Sequence, residues 1–238
     1  KLCQIHAVAG SNENTIVVVH AVGPVIMPWV NHTNVKAILW PGLPGQESGN
    51  AISDILFGDV NPSAKLPYTI AKDANDYPAK ISREMDFAYA EGMYFGYRWF
   101  DKHRIVPQYE FGYGLSYTTF GYSHLTMDPI VGGTEDPENL KVTIRVKIKN
   151  TGKFDGAEVA QLYLSYPEIA QEPPRILRGF EKVFLAIGQE TYVSFDLRKT
   201  ELSYYSVKKH AWVVPQGDFM AHIGASSRNI KGTVQFTL

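Results

Sequence analysis

The chain has 238 residues, of which 45% are hydrophobic, so it is long enough to bury a core and to form one or two domains. Lysine and arginine number 23 against 24 aspartates and glutamates, which leaves a net charge of −1 and no basic excess of the kind that binds DNA or RNA. No apolar run approaches the roughly 18 residues that a membrane span needs, and the first residues lack the pattern of a signal peptide. We therefore expect a soluble chain with two domains, no nucleic-acid partner and no membrane partner.

Two sequence features bear on the cellular compartment. Cys3 is the single cysteine, so it has no disulfide partner within the chain and leaves the redox environment open. The tripeptide that starts at Asn31 (Asn-His-Thr) is an N-glycosylation sequon, whereas the one that starts at Asn61 is disqualified by its proline. Asn31 is therefore the candidate glycosylation site if the chain passes through a secretory pathway.

The first 70 residues alternate helical and strand patterns. The patterns predict, in order, a helix over 2–9, a strand over 15–20, a short helix over 25–30, a strand over 35–40, a helix from Ser48 and a return strand that ends at Ile70. Such alternation gives parallel strands joined by helical crossovers, so we expect an α/β layer of about three strands. Because sheets are usually larger, we interpret it as the second half of a larger α/β unit.

The segment from Val35 to Ile70 organises this layer. Its first part is a short apolar run bounded by turn residues, which is typical of a strand covered on both faces. The following Pro/Gly loop at 41–45 breaks regular structure, since prolines remove donors and glycines permit positive φ. In the helix after it, Ser48 is a plausible N-cap and Gly58 a plausible C-terminal cap. The apolar residues predicted to share one helical face are Ala51, Ile52, Ile55 and Leu56.

An aromatic and glycine-rich segment follows. It has neither helical nor strand spacing, and its rings include Tyr94, Tyr97, Trp99, Phe100, Tyr109 and Phe111. Such rings could form a platform on which sugars or bases stack. They could equally hold two domains together, and general burial tendencies favour this second interpretation.

After Phe120 the helical patterns give way to short strands separated by turn residues. The predicted strands are 122–127, 140–149, 158–166, 176–185, 192–197, 203–207, 218–223 and 233–238. This number of strands in roughly 115 residues predicts an antiparallel sandwich of the immunoglobulin or fibronectin type III kind. One strand alternates clearly, with Val142, Ile144, Val146 and Ile148 facing the core and Lys141, Arg145 and Lys147 facing outward.

The sequence lacks the motifs of several enzyme classes. It contains no G-x-S-x-G, H-E-x-x-H, G-x-x-x-x-G-K-[ST] or C-x-x-C motif, and its seven histidines have no ligand spacing, so we expect no metal and no cofactor. His20 and His222 are expected to be packed or hydrogen-bonded. The glycines before the helix at Ser48 could present amides to a phosphate, but the lysine or threonine that a nucleotide would need does not follow.

No two acids stand out as a catalytic pair. Glu47 lies at the start of a helix near the carboxyl end of a parallel strand, where open α/β sheets bind their ligands, so it could contact a substrate. Interaction with the helix dipole and with loop amides explains it equally well. Asp54 and Asp59 flank the end of that helix. Glu91 and Asp101 lie in the aromatic segment, where we expect Arg98 or Arg104 to pair with them.

Several long motifs in one order resemble glycoside hydrolase family 3, especially its fungal-type β-glucosidases. The stretch 22–70, from VGPVIMPWVNHT to AKLPYTI, is similar to the second half of the family's α/β sandwich domain. The segments EGMYFGYRWFD (91–101) and YEFGYGLSYTTF (109–120) resemble the link to its last domain. The segments RILRGFEKVFL (175–185) and WVVPQGDFMAHIGASSRNI (212–230) resemble its fibronectin type III-like domain. The resemblance covers nearly the whole chain.

The resemblance implies a domain order and an activity. It implies the C-terminal half of an α/β sandwich domain at 1–80, an aromatic interdomain connector at 81–120 and a fibronectin type III-like domain at 121–238. It also implies a secreted, extracellular retaining β-glucosidase that hydrolyses terminal β-D-glucosyl residues of oligosaccharides or glucosides through two carboxylates about 5 Å apart.

The family places both catalytic carboxylates outside the matched segment. Its nucleophile belongs to an N-terminal barrel, and the acid/base glutamate of its fungal-type members lies upstream of the part that matches Lys1. We therefore assign no catalytic residue to this chain, expect it to be inactive alone, and expect its partner to be the N-terminal part of the same enzyme. The substrate-binding residues and the oligomeric state stay open. Two alternatives also stay open: a β-xylosidase or xyloglucan-processing parent, and a non-catalytic sugar-binding or adhesion module that uses Tyr97 or Trp99.

Overall fold

The structure of the chain, a computed structural model, describes residues 2–82 and 85–238, with side chains in the first helix from residue 4 onward. Cys3 therefore lies outside the described side chains. The helices are α1 (Leu2–Ser11), α2 (Ser48–Phe57), α3 (Tyr97–Lys102) and α4 (Lys199–Leu202), and short 3-10 turns lie at Ala74–Asp76 and Glu168–Ala170. Within this described part, no helix is long and apolar enough to cross a membrane.

The chain forms twelve strands in the described residues. They are β1 (Thr15–Val18), β2 (Val35–Leu39), β3 (Phe120–Met127), β4 (Val131–Gly133), β5 (Asp136–Asn150), β6 (Gly156–Ser165), β7 (Ile176–Leu185), β8 (Glu190–Arg198), β9 (Tyr204–Ser206), β10 (Ala211–Val213), β11 (Asp218–Gly224) and β12 (Ile230–Thr237). The predicted α/β part and the predicted all-β part are both present, which confirms the fold class.

Strands β1 and β2 pair in parallel, as the alternation of elements predicts, with Thr15 opposite Val35 and Ile16 opposite Ala37. Along β1 the side chains alternate between buried and exposed positions, so one face of the pair is covered and the other is open. The prediction that β2 is covered on both faces is wrong for the described chain. A strand becomes buried on both faces only when elements pack above and below it. The covered face packs on a small cluster built around Val17, Met27, Trp29 and Ile70.

Two predicted elements of this layer do not form. The segment 25–30 is not a helix; Val30 N–H donates to the Met27 carbonyl (3.1 Å), which closes a turn. Prolines at 24 and 28 lack the donors that a short helix would need. The return strand to Ile70 joins neither β1 nor β2. It pairs instead with the aromatic segment, where Leu66 N–H donates to the Tyr113 carbonyl (2.8 Å) and Ile70 N–H to the Tyr109 carbonyl (2.9 Å).

Helix α2 forms over the predicted residues, but its apolar face is not buried. Gly58 has φ of 85°, and its N–H donates to the Ile55 carbonyl (3.2 Å), so the predicted C-terminal cap is confirmed. Ser48 is the first helical residue and not the N-cap; Glu47 occupies the cap position without a side-chain capping bond. None of the helix's side chains is buried, and Phe57 is 81% exposed.

The residues after Phe120 form a sandwich of two antiparallel sheets. One sheet has the order β12-β11-β6-β7, and in the other β3, β4 and β8 all pair with β5. The predicted inward positions of β5 (Val142, Ile144, Val146 and Ile148) are each at most 2% exposed, whereas Arg145 faces outward, so the predicted alternation is confirmed. Strands β9 and β10 form a separate hairpin. The hydrophobic core lies between the two main sheets.

Candidate functional site at the carboxyl edge of the parallel strands

The loop that follows β2 lies where open parallel sheets place their ligands. Gly42 and Gly45 have φ of 70° and 79°, the left-handed conformations that the sequence predicts for this loop. At its base, Trp40 Nε1 donates to the Tyr68 hydroxyl (2.6 Å), and the two rings meet edge to face. The loop therefore starts from a fixed ring pair, while Leu43, 68% exposed, projects from its tip.

Glu47 follows this loop and is exposed. Its Oε2 accepts a hydrogen bond from the side-chain amide of Asn50 (2.6 Å). The prediction that it binds loop amides is wrong, because its partner is a side chain one helical turn further on. An exposed carboxylate at a helix N-terminus can contact a ligand.

Asp101, on helix α3, has a nearly buried side chain that is 7% exposed. Its Oδ1 accepts from Arg228 Nε (3.1 Å), and its Oδ2 accepts from Arg175 Nη2 (3.4 Å). Burial raises the pKa of this carboxyl, and the two guanidinium groups oppose that rise. The predicted partners Arg98 and Arg104 are therefore wrong for Asp101. Its contacts tie α3 to the sandwich and leave it unsuited to act on a substrate.

Rings of the aromatic segment pack at the interface between α3 and the sandwich. Tyr97 stacks on Phe111 with ring centroids 4.7 Å apart and meets Tyr163 of β6 edge to face at 5.9 Å. The Tyr97 hydroxyl also accepts from the Leu177 N–H of β7 (2.9 Å). These contacts fit the interpretation that the rings hold two parts of the chain together. Other rings of the segment, such as Phe87 and Tyr89, are exposed.

Other polar contacts that sequence reasoning missed link the residues before Phe120 to the sandwich. Lys65 Nζ lies 3.0 Å from Glu158 Oε1, and both side chains are nearly buried. Gln161 donates from Nε2 to the carbonyls of Gly112 (3.1 Å) and Ala225 (2.9 Å). No local signal could have found these pairs, because the partners lie 49 to 93 residues apart in sequence.

The two histidines singled out above differ in environment. His222 Nε2 lies 3.0 Å from the Ser165 hydroxyl, and its Nδ1 lies 3.3 Å from the Thr233 hydroxyl, so it is hydrogen-bonded as predicted. Burial lowers its pKa to about 4. His20 is exposed, and its ring makes no hydrogen bond within the part of the chain that the structure describes, so the prediction that it is packed or hydrogen-bonded is wrong. Within residues 2–82 and 85–238, no three His, Cys, Asp or Glu side chains form a group that could hold a metal ion.

Family models match two parts of the chain. Residues 3–117 match the glycosyl hydrolase family 3 C-terminal domain, and residues 158–227 match the fibronectin type III-like domain. Among relatives, the probable beta-glucosidase D of Aspergillus niger is 47% identical over 98% of this chain and 33% of its own length. The probable beta-glucosidase L of Aspergillus fumigatus is 48% identical over 95% of this chain and 32% of its own. The chain thus spans about one third of the length of these relatives.

Solved structures agree over the whole chain. The β-D-glucoside glucohydrolase of Trichoderma reesei superposes with a TM-score of 0.92 at 45% identity, covering 99% of this chain and 35% of that one. A β-glucosidase of Kluyveromyces marxianus in complex with glucose gives 0.88 at 34% identity, covering 100% of this chain and 28% of that one. The chain belongs to glycoside hydrolase family 3, with that family's C-terminal domain followed by its fibronectin type III-like domain.

Proposed function

We propose that this chain is the C-terminal structural part of a retaining β-glucosidase that removes terminal β-D-glucosyl residues from oligosaccharides or glucosides. The observation that carries the proposal is the likeness to the Trichoderma reesei enzyme, which extends over 99% of this chain but only 35% of that enzyme. The β-glucosidase names of the relatives favour a glucosidase over the alternatives of a β-xylosidase or a xyloglucan-processing enzyme.

The catalytic carboxylates belong, in this proposal, to polypeptide that is not part of this chain. The environments of the acids in this chain support the proposal that the catalytic carboxylates lie elsewhere. Asp101 is bound by two arginines, whereas Glu47 and Asp59 are exposed and stand on opposite ends of helix α2. Hydrolysis with retention needs two carboxyl groups about 5 Å apart on either side of the sugar, and these acids do not supply such a pair.

The open face of the α/β layer is the surface on which the upstream part of the enzyme would pack. Large apolar side chains there are exposed, among them Ile16 on β1 and Leu43 in the loop after β2. Exposed apolar side chains at this face favour its packing against another part of the enzyme. This chain would then complete the sheet and hold the sandwich beside it.

A chimera tests the proposal. We would replace the C-terminal third of the Aspergillus niger relative with this chain and assay hydrolysis of p-nitrophenyl β-D-glucoside and of the matching β-D-xyloside. The proposal predicts a folded chimera that hydrolyses the glucoside well above the xyloside, whereas the relative truncated before the graft is inactive. A folded chimera without glucosidase activity, or with xyloside as its better substrate, would contradict it.

We further infer that the enzyme is secreted and glycosylated at Asn31. Asn31 and Thr33 are exposed, and Asn31 lies in a turn, so a transferase could reach the sequon. Expression through a fungal secretory pathway should give a product whose mass falls on glycosidase treatment. The same treatment should leave Asn31→Gln unchanged, and a wild-type product without glycan would refute the assignment.

A further inference from the structure

A cleft of about 740 Å³ opens between the end of helix α2 and the loops of the sandwich. Phe57 and Phe154 both line it, and these residues are 81% and 59% exposed. Sites for small ligands typically have volumes of about 300 to 1,000 Å³ and often lie between domains. The cleft therefore has the size and the position of a ligand site.

Hydrogen bonds between its lining residues and their neighbours hold the walls of this cleft in place. Asn61 donates from Nδ2 to the Asp155 carbonyl (2.9 Å), and its Oδ1 accepts from the Ser116 hydroxyl (2.9 Å) and the Tyr117 N–H (2.8 Å). The Tyr117 hydroxyl donates to the Ile55 carbonyl of α2 (2.6 Å). A ligand would thus meet walls that are already ordered, which lowers the entropic cost of binding.

The charged groups at the cleft can bind a ligand rich in hydroxyl groups. Asp59 and Lys153 both line it, and neither side chain has a hydrogen-bond or ion-pair partner among the residues that the structure describes. A hydroxyl can donate to the carboxylate of one and accept from the ammonium of the other. The second carboxylate, Asp155, accepts from the Ile187 N–H (2.8 Å), and its charge disfavours an anionic ligand.

We propose that this cleft binds a neutral oligosaccharide of β-linked glucose. Phe57 and Phe154 contact the apolar faces of the sugar rings, and Asp59 and Lys153 bind their hydroxyl groups. Aromatic faces give large, rigid apolar area, which suits a flat pyranose ring. The choice of glucose rests on the proposed function, whereas the exposed rings and the unpaired charges that line the cleft are features of the structure.

Calorimetric titration of the 238-residue chain with cellotetraose tests this proposal. We expect saturable binding of one oligosaccharide, weakened about tenfold or more in Phe57→Ala and in Phe154→Ala, in line with the loss of one stacking ring. Asp59→Asn should weaken binding less. Phe180→Ala is the matched control, because this ring on β7 is 67% exposed and lies outside the cleft, and it should bind like the wild type. Circular dichroism checks that each variant is folded.

Absence of saturable heat in the folded wild type would overturn the proposal, as would equal weakening in the Phe180 control. If sedimentation shows that the wild type is a dimer and that Phe57→Ala is a monomer, the proposal would also be overturned, because a second copy of the chain would then occupy the cleft. The chimera assay separates the two proposals. An active chimera without cellotetraose binding by the chain refutes the cleft alone, and saturable binding with an inactive chimera refutes the β-glucosidase assignment alone.

Discussion

Asn150 illustrates how single residues fix the sandwich. It is fully buried, and both ends of its amide are satisfied. Its Oδ1 accepts from the Thr118 hydroxyl (2.7 Å), and its Nδ2 donates to the carbonyls of Phe154 (2.8 Å) and Leu185 (3.0 Å). One side chain therefore joins the start of β3, the loop after β5 and the end of β7.

We predict that Asn150→Ala lowers the free energy of unfolding by about 2 to 3 kcal/mol, because it leaves several buried donors and acceptors unpaired. Urea denaturation of the chain measures this. The control is Asn139→Ala, whose exposed amide binds Asp136 (2.7 Å) and whose loss should cost less than about 0.5 kcal/mol. Equal costs for the two variants would contradict the role of Asn150.

His222 makes the stability depend on pH. Its pKa of about 4 in the folded chain is below the usual value of 6.5, so between these values the unfolded chain binds more protons. Stability contributed by the neutral ring is therefore present above pH 6.5 and is lost as the pH falls toward 4. Since the ring is only half-buried, solvent screening reduces the effect to about 1 kcal/mol between pH 7 and 5.

We predict that His222→Gln loses less stability than the wild type when the pH is lowered from 7 to 5. Urea denaturation at both values, with His20→Gln as the exposed control, gives the comparison. If the pH dependence of the His222 variant matches that of wild type and control, the assignment to this ring is wrong.

At the scale of elements, helix α3 joins the aromatic segment to the sandwich. Tyr97 and Asp101 occupy one short helix, and both contact β7 or the residues next to it. Asp101 is the critical contact, because a buried carboxylate with two arginine partners leaves uncompensated charge when it is removed.

We predict that Asp101→Asn lowers the free energy of unfolding by about 2 to 4 kcal/mol. The control is Asp128→Asn, since Asp128 pairs with Arg145 at the surface (2.7 Å) and such exposed pairs contribute at most about 1 kcal/mol. Thermal and urea denaturation of both variants measure the difference. A loss for Asp101→Asn no larger than that of the control would mean that the Asp101 carboxylate does not hold α3 against the sandwich.

The elements differ in how well the sequence predicts them. The strands of the sandwich follow from alternation with period two, and helix α2 follows from its apolar spacing and from Gly58. The return strand to Ile70 was mispredicted because its partner is the aromatic segment near Tyr109, about 40 residues away. Pro67 also removes a donor from that strand. Local pattern indicates an extended segment but does not identify its partner.

For the whole molecule, the candidate site was predictable only in part. The loop at 41–45 follows from its prolines and glycines. The partners of Asp101 lie 74 and 127 residues away, so no local signal could identify them. The cleft beside Phe57 forms only when α2 and the sandwich loops come together, and it too escaped prediction.

Our central proposal is that this chain supports catalysis that other polypeptide performs. The most direct test is turnover of p-nitrophenyl β-D-glucoside by the purified 238-residue chain alone. We predict a folded chain, judged by circular dichroism, with no turnover above the buffer rate. Turnover that a mechanism-based glucosidase inactivator titrates to one site per chain would contradict the account.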